Sequence, residues 1–275
     1  MKIFYSIKDF IDHKLEINVF IPTMGNLHNG HMSLVEHAKK YSDNICVSVY
    51  INEDQFTEKK DFESYPKSLE KDINMLKKSG ATYLLLPEKD DINFFSKPFD
   101  IKLEPKNLTS DLCGKHRPGH FLAVIDILHR FFQIINPKHV LLGEKDFQQL
   151  IVINELIKIC NYEINLISSP IIRDKKGLAL SSRNNHLSEK EKIIARDIYK
   201  SLLLAKQMFN NNIPINEIIK EIHRIFDKSP IKLEYFTIRD SKTLQERNDS
   251  DLIALIAAYV GNIRLIDNIF IRSGT

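Results

Sequence analysis

Cysteine is scarce in this chain and glycine hardly less so, with three and nine residues among 275. Cys46, Cys113 and Cys160 make an odd, unpatterned set, which excludes a disulfide framework and a zinc site. A reducing, cytoplasmic setting is expected. Long apolar runs are also missing. None reaches the roughly 18–20 residues of a membrane span. The opening MKIFYSIKDFIDHKLE lacks an apolar signal core, so neither a membrane segment nor a signal peptide is expected. Excess charge of one sign is absent too: 39 basic against 36 acidic residues give a net charge of +3. That argues against a dedicated nucleic-acid binder and leaves room for a local basic pocket for a small anion. There is no internal repeat, no Walker loop and no Gly-x-Gly-x-x-Gly. What remains is 43% hydrophobic and 27% charged, the texture of a soluble globular protein with a sizeable core.

Short apolar runs alternate with amphipathic stretches through the first 170 or so residues. Strands are expected at 17–23, 45–51, 83–86, 139–142 and 164–168, with helices at 30–41, 66–78, 119–135 and 147–160. This βαβα rhythm predicts an α/β fold, a parallel sheet with helices on both faces. Gly80 and Pro137 punctuate two of the helix ends. Beyond Arg173 the pattern changes to a loop around Gly177. A Ser188/Glu191 capping box then opens a long helix toward Phe209, and a second helix follows from Pro214 to Lys228. Three β-like runs close the chain at 233–238, 252–259 and 263–271. The expected domains are therefore 1–175, a nucleotide-binding catalytic domain, and 176–275, a smaller α+β lid.

With glycine so rare, its placement is informative. Gly25 and Gly30 frame a strand–turn–helix segment that carries His28 and His31, three apart at the helix start. Free N–H groups and the positive helix end suit a phosphate there, and two imidazoles can donate to its growing charge. The pattern resembles the HIGH-type motif of the nucleotidyltransferase superfamily. In Gly143-Glu144-Lys145-Asp146, Lys145 can neutralise phosphate, Asp146 can accept from a ribose hydroxyl or cap a helix, and Glu144 reads as a solvated charge. Gln149 lies on the first turn of the next helix. Strand C-termini are where open α/β sheets bind ligands. Leu180-Ser181-Ser182-Arg183 offers a flexible anion clamp. Arg117 and His120 can organise an anionic site, Gln55 can pair with a hydroxy acid, and Phe56 can wall it. Nothing beyond its identity supports Cys113 as a nucleophile.

Together these segments resemble the pantothenate synthetase family along nearly the whole chain. The family's PTMGALHEGH is here PTMGNLHNGH; VNPxQF is INEDQF; YPRTLExD is YPKSLEKD; CGxxRPGHF is CGKHRPGHF; GEKDxQQL is GEKDFQQL; and GLALSSRN is unchanged. LEYFTIRD and GNIRLIDN are similar to the family's closing segments. The resemblance implies a Rossmann-like sheet. It also implies ATP-dependent joining of pantoate to β-alanine through a pantoyl-adenylate, with release of AMP and pyrophosphate. It implies that Met24, Gly25, Asn26, Leu27, His28, Asn29, Gly30 and His31 hold ATP, with Gly143, Glu144, Lys145, Asp146, Ile172, Leu180, Ser181, Ser182 and Arg183. His31, His28 and Lys145 are the catalytic candidates, and Gln55 and Gln149 the pantoate and β-alanine contacts. Mg²⁺ is expected on the phosphates, its protein ligands unassigned. Asp72 is one candidate ligand; a helix-surface charge is the alternative. A cytoplasmic homodimer, without nucleic-acid or membrane partners, is implied as well.

Two departures stand out. Glu53 replaces the family proline, and Leu122-Ala123 stand where Arg-Gly is common. Two rival functions bear weighing. A nucleotidyltransferase acting on a phosphate ester would want more arginine near Gln55 and Gln149. An RNA-binding relative would want basic residues interleaved with aromatics.

Overall fold

The computed structural model describes residues 1–246 and 251–272. Residues 247–250 and 273–275, which the expected second domain includes, lie outside the described residues. The chain forms two compact units: Met1–Glu144 with Val152–Pro170, and Lys145–Ile151 with Ile171–Thr275. The main crossing thus falls at Pro170–Ile171, and the seven residues Lys145–Ile151, which precede it, belong to the second unit.

In the first unit, β1 (Lys2–Phe4), β2 (Val19–Thr23), β3 (Ile45–Val49), β4 (Tyr83–Leu85), β5 (His139–Gly143) and β6 (Asn165–Ser169) form a parallel sheet. Its order is β1-β4-β3-β2-β5-β6. Val19, Phe20 and Ile21 of β2 and Ile45, Cys46 and Val47 of β3 are all buried. Strands covered on both faces need such unbroken apolar runs, and each fully buried large side chain contributes about 1.5–3 kcal/mol. Around the sheet lie α1 (Ile7–Asp12), α2 (Asn29–Ala38), α3 (Lys59–Glu63), α4 (Leu69–Ser79), α5 (Lys89–Phe95), α6 (Lys106–Thr109), α7 (Cys113–His116) and α8 (His120–Ile135). The next helix, α9 (Phe147–Ile159), starts in the second unit and continues in the first. Gly80 ends α4 at φ +85°, and Asn136 ends α8 at φ +46°, both in the left-handed region that stops a helix. The helix expected from residue 66 starts instead at Leu69, with Ser68 at its N-cap donating its hydroxyl to the Asp72 carboxylate.

The chain runs from β2 outward through β3 to β4, then returns to β5 and β6 on the other side of β2. The gap between the ends of β2 and β5 is therefore the topological switch point, the ligand crevice of an open α/β sheet.

The second unit holds α10 (Glu189–Asn210) and α11 (Ile215–Phe226) against an antiparallel sheet of β7 (Ile231–Asp240), β8 (Leu252–Val260) and β9 (Ile263–Arg272). The Ser188/Glu191 capping box forms in both directions. Ala195, Ile198 and Leu202 of α10 meet Ile218 and Ile222 of α11 and Ala254 and Ile256 of β8 in a separate core. Among the described residues no helix is long and apolar enough to cross a membrane.

Candidate active site

The turn after β2 sits at the switch point, and its shape is forced. Gly25 has φ +78° and Asn26 φ +48°. A Cβ on Gly25 would lie 3.0 Å from Val49 Cγ1 and 3.1 Å from Asp72 Oδ2, so no other residue fits without movement. Asp72 reaches the turn from α4 with 1% exposure. Its carboxylate accepts from the amides of Asn26 and Leu27, each at 2.8 Å, and from the Ser68 hydroxyl at 3.1 Å. This corrects one expectation: Asp72 is not a helix-surface charge but a buried carboxylate that holds the turn.

The helix start beyond the turn orients both imidazoles. His28 is the N-cap of α2, and its Nδ1 accepts from the Gly30 amide at 3.1 Å. His31 Nδ1 accepts from the His28 amide at 3.2 Å. A neutral imidazole that accepts at Nδ1 carries its proton on Nε2. The capping therefore sets both rings, with centroids 4.1 Å apart, as Nε2–H donors on the side away from the helix start. Met24 and Gly30 are partly buried and Asn29 is exposed in the same segment.

The end of β5 flanks the crevice opposite this turn. Gly143 closes the strand, and a Cβ there would meet only Leu34 Cδ2 at 3.9 Å. Packing within the protein therefore does not demand this glycine. Glu144, read from the sequence as a solvated charge, accepts from Ser168 Oγ at 3.0 Å and is partly buried.

Gln55 ends a 3-10 turn, Glu53–Gln55. Its backbone carbonyl accepts from Arg117 Nη2 at 3.1 Å and from His120 Nδ1 at 2.9 Å, while Arg117 Nη1 donates to His120 Nε2 at 2.9 Å. Arg117 and His120 thus hold the Gln55 segment. Asn52, 4% exposed, donates to the Ala123 carbonyl at 3.2 Å and ties the same segment to α8. Glu53, in place of the family proline, is exposed and the turn closes without it. Phe56 packs edge-on against Phe62 and Tyr65. Cys113 is buried, and a Cβ on the adjacent Gly114 would fall 1.8 Å from the Thr109 carbonyl oxygen, so this segment is tightly packed structure.

In the second unit, Lys145 Nζ lies 3.7 Å from Asp146 and its side chain is 18% exposed. Gln149 is partly buried on the first turn of α9. Ile172 is 36% exposed, and its carbonyl accepts from the Leu180 amide at 2.9 Å. Arg173 and Ala179 pair in a short hairpin, whose turn is closed by Asp174 accepting from the amides of Lys176 and Leu178. Ser181 caps the 3-10 turn Ser182–His186 by accepting from the Arg183 amide at 3.3 Å, and Asn184 Nδ2 donates to the Ala179 carbonyl at 2.9 Å. The Ser-Ser-Arg segment is thus anchored at its root by the hairpin. Arg173 was not singled out as a site residue in the sequence, since its partners lie more than ninety residues away.

A family model described as Pantoate-beta-alanine ligase matches residues 4–270. Among curated relatives, the pantothenate synthetase of Acinetobacter baylyi is 40% identical over 255 residues, which is 92% of this chain and 90% of the relative. That of Clostridium botulinum is 40% identical over 266 residues, 95% and 94% of the two chains. Among solved structures, pantothenate synthetase from Thermus thermophilus superposes with a TM-score of 0.92 at 28% identity, covering 99% of this chain and 100% of that one. The ligase from Francisella tularensis, described as complexed with beta-gamma ATP and β-alanine, superposes with a TM-score of 0.79 at 32% identity, covering 100% and 99%.

Proposed function

Because the chain belongs to the pantoate-beta-alanine ligase family, we propose that it works through a pantoyl-adenylate held by the residues described above. The enzyme is an ATP-dependent ligase that forms pantothenate from pantoate and β-alanine. A free carboxylate resists attack by an amine because oxide is a poor leaving group. In the first step a pantoate carboxylate oxygen attacks the ATP α-phosphorus, and the bond to the bridging oxygen breaks to release pyrophosphate. In the second the β-alanine amine attacks the acyl carbon, loses its proton, and AMP leaves. No protein nucleophile takes part.

The observation that carries this reading is the pair of imidazoles at the α2 start. Their Nδ1 atoms are engaged by backbone amides, so both present Nε2–H donors at the sheet's switch point. Donors fixed before the reaction stabilise charge that grows on phosphoryl oxygens in the transition state. Met24 through His31, Gly143, Glu144 and Asp146 would border the nucleotide, the exposed Ile172 would offer it an apolar surface, and Lys145, Ser181, Ser182 and Arg183, with Leu180 at their root, would meet its phosphates. Gln55 and Gln149 would hold pantoate, with Gln55 also beside β-alanine. Mg²⁺ would arrive with the nucleotide and would offset phosphate charge, a role that needs few protein ligands. Among the described residues no group of three His, Cys, Asp or Glu could hold a metal alone, and the Asp72 oxygens are committed to the turn.

The test is AMP formation from ATP and Mg²⁺ with pantoate and β-alanine left out in turn. Steady AMP only with both present is the expected result; folded protein that makes none with both present refutes the assignment. His31→Ala or Lys145→Ala should each lower turnover on the order of 10²–10³-fold, the scale for one transition-state donor. A variant that turns over near normally removes that residue from its role.

A further inference from the structure

The closing strand β9 carries two buried polar residues that no step above uses. Asp267 is 5% exposed and Asn268 3% exposed. Neighbouring positions on a strand face opposite ways, so burial of both means that β9 is covered on both sides here. Their partners are functional segments. Asn268 Nδ2 donates to the main-chain carbonyl of Lys145 at 3.2 Å. Two residues on, Phe270 packs edge-on against Phe147 with ring centroids 5.6 Å apart, so the strand grips the start of α9 at two points. Asp267 forms a two-pronged pair with Arg173, at 2.5 and 2.8 Å, and Arg173 Nη2 also donates to the Asn268 carbonyl at 3.3 Å. Arg173 Nη1 donates to the Gly177 carbonyl at 3.1 Å, and the guanidinium lies 3.7 Å from the centroid of the Tyr199 ring. Gly177, at φ +97°, packs so closely that a Cβ would sit 2.7 Å from Tyr199 Cδ1. Burial pushes the Asp267 carboxyl up, and the hydrogen bonds and charge of Arg173 oppose that rise.

We infer that Asp267 and Asn268 are positioning residues for the ligase reaction: Asn268 sets the main chain that carries Lys145, and Asp267, through Arg173, sets the hairpin that carries the Ser181–Arg183 clamp. The two cation-bearing segments, distant in sequence, are thereby fixed to one strand and held in register with each other. This rests on the reading that Lys145 and the clamp act on the ATP phosphates. Catalysis through orientation is sensitive to small shifts, about 10²-fold for a misplacement near 1 Å.

The experiment is a double-mutant cycle on the full chain. Asn268→Leu keeps the side chain's branching at Cγ, adds some volume and removes the donor. Alone it should lower kcat about 10-fold and raise the KM for ATP several-fold, while the KM for β-alanine stays within about 2-fold. In a Lys145→Ala background the same change should cost less than about 2-fold, because the group it orients is gone. A purely structural role would instead lower the active fraction, reducing kcat equally in both backgrounds with both KM values unmoved; that result overturns the inference. Folded Asn268→Leu with normal kinetics, beside a slow Lys145→Ala, overturns it too and leaves the Lys145 reading standing. Normal turnover by Lys145→Ala defeats that reading first. If Asn268→Leu does not fold, Asn268→Ser enters the same cycle with the same criteria.

Discussion

A single buried carboxylate, Asp72, decides the shape of the turn that carries the histidine pair. Its two oxygens take the amides of Asn26 and Leu27 across a sequence gap of more than forty residues. Hydrogen bonds to a charged group are worth roughly 1.5–3 kcal/mol each, and an amide could not accept from both donors equally well. Asp72→Asn should therefore lower the unfolding midpoint by about 3–10 °C and slow AMP formation, measured by scanning calorimetry and the AMP assay. An unchanged midpoint would mean that the turn holds itself. The contrast with the histidines explains what the sequence discloses at this scale. His28 and His31 are legible because their meaning is local: a strand end, Gly25 and a helix start lie within ten residues. Asp72 was noticed as acidic and near the site, but its partners are set by folding, so the helix-surface reading given to it missed. Gln55 was legible as a candidate. That Arg117 and His120 hold its carbonyl was not, since nothing local links residues 55 and 120.

Elements with a strong period or a punctuation mark are where the sequence spoke most clearly. Strands β2 to β9 and helices α2, α4, α8, α9, α10 and α11 match expected segments with ends shifted by a few residues. The three-residue β1 and the short α1 and α5 were not foreseen, because so few positions give no period to read. β1 exists through its pairing with β4, a tertiary fact. The hairpin Arg173–Ala179 was read only as a loop around Gly177, and that glycine is required twice, by its positive φ and by the Tyr199 ring. Gly177→Ala should distort this hairpin, with strain on the order of 1–3 kcal/mol, and raise the KM for ATP more than that for pantoate. Equal KM values in wild type and variant would separate the hairpin from nucleotide binding.

Across the whole molecule, stability should depend on acid through a site away from the crevice. His129 Nδ1 on α8 lies in hydrogen-bond contact with the Tyr162 hydroxyl at 2.8 Å, with Cys160 Sγ 3.6 Å from the same nitrogen. Burial holds its pKa below the usual 6.5 and pushes the Tyr162 hydroxyl up to about 12. The folded pKa is thus the lower one. The unfolded chain takes up the proton first, so this contribution is intact above pH 6.5 and is lost as pH falls below it. The unfolding midpoint should drop between about pH 7 and 5.5, and drop less in His129→Gln; parallel curves would assign the acid sensitivity elsewhere. The division of the chain into units has a different kind of consequence. Lys145–Ile151 is encoded ahead of Val152–Pro170 of the first unit but belongs with Ile171–Thr275. A chimera of two relatives made with one crossover near codon 171 would import a foreign β9 to meet a native Lys145 segment. Recombinants that also exchange codons 145–151 keep these partners together, and library design for this family should treat the two stretches as one cassette.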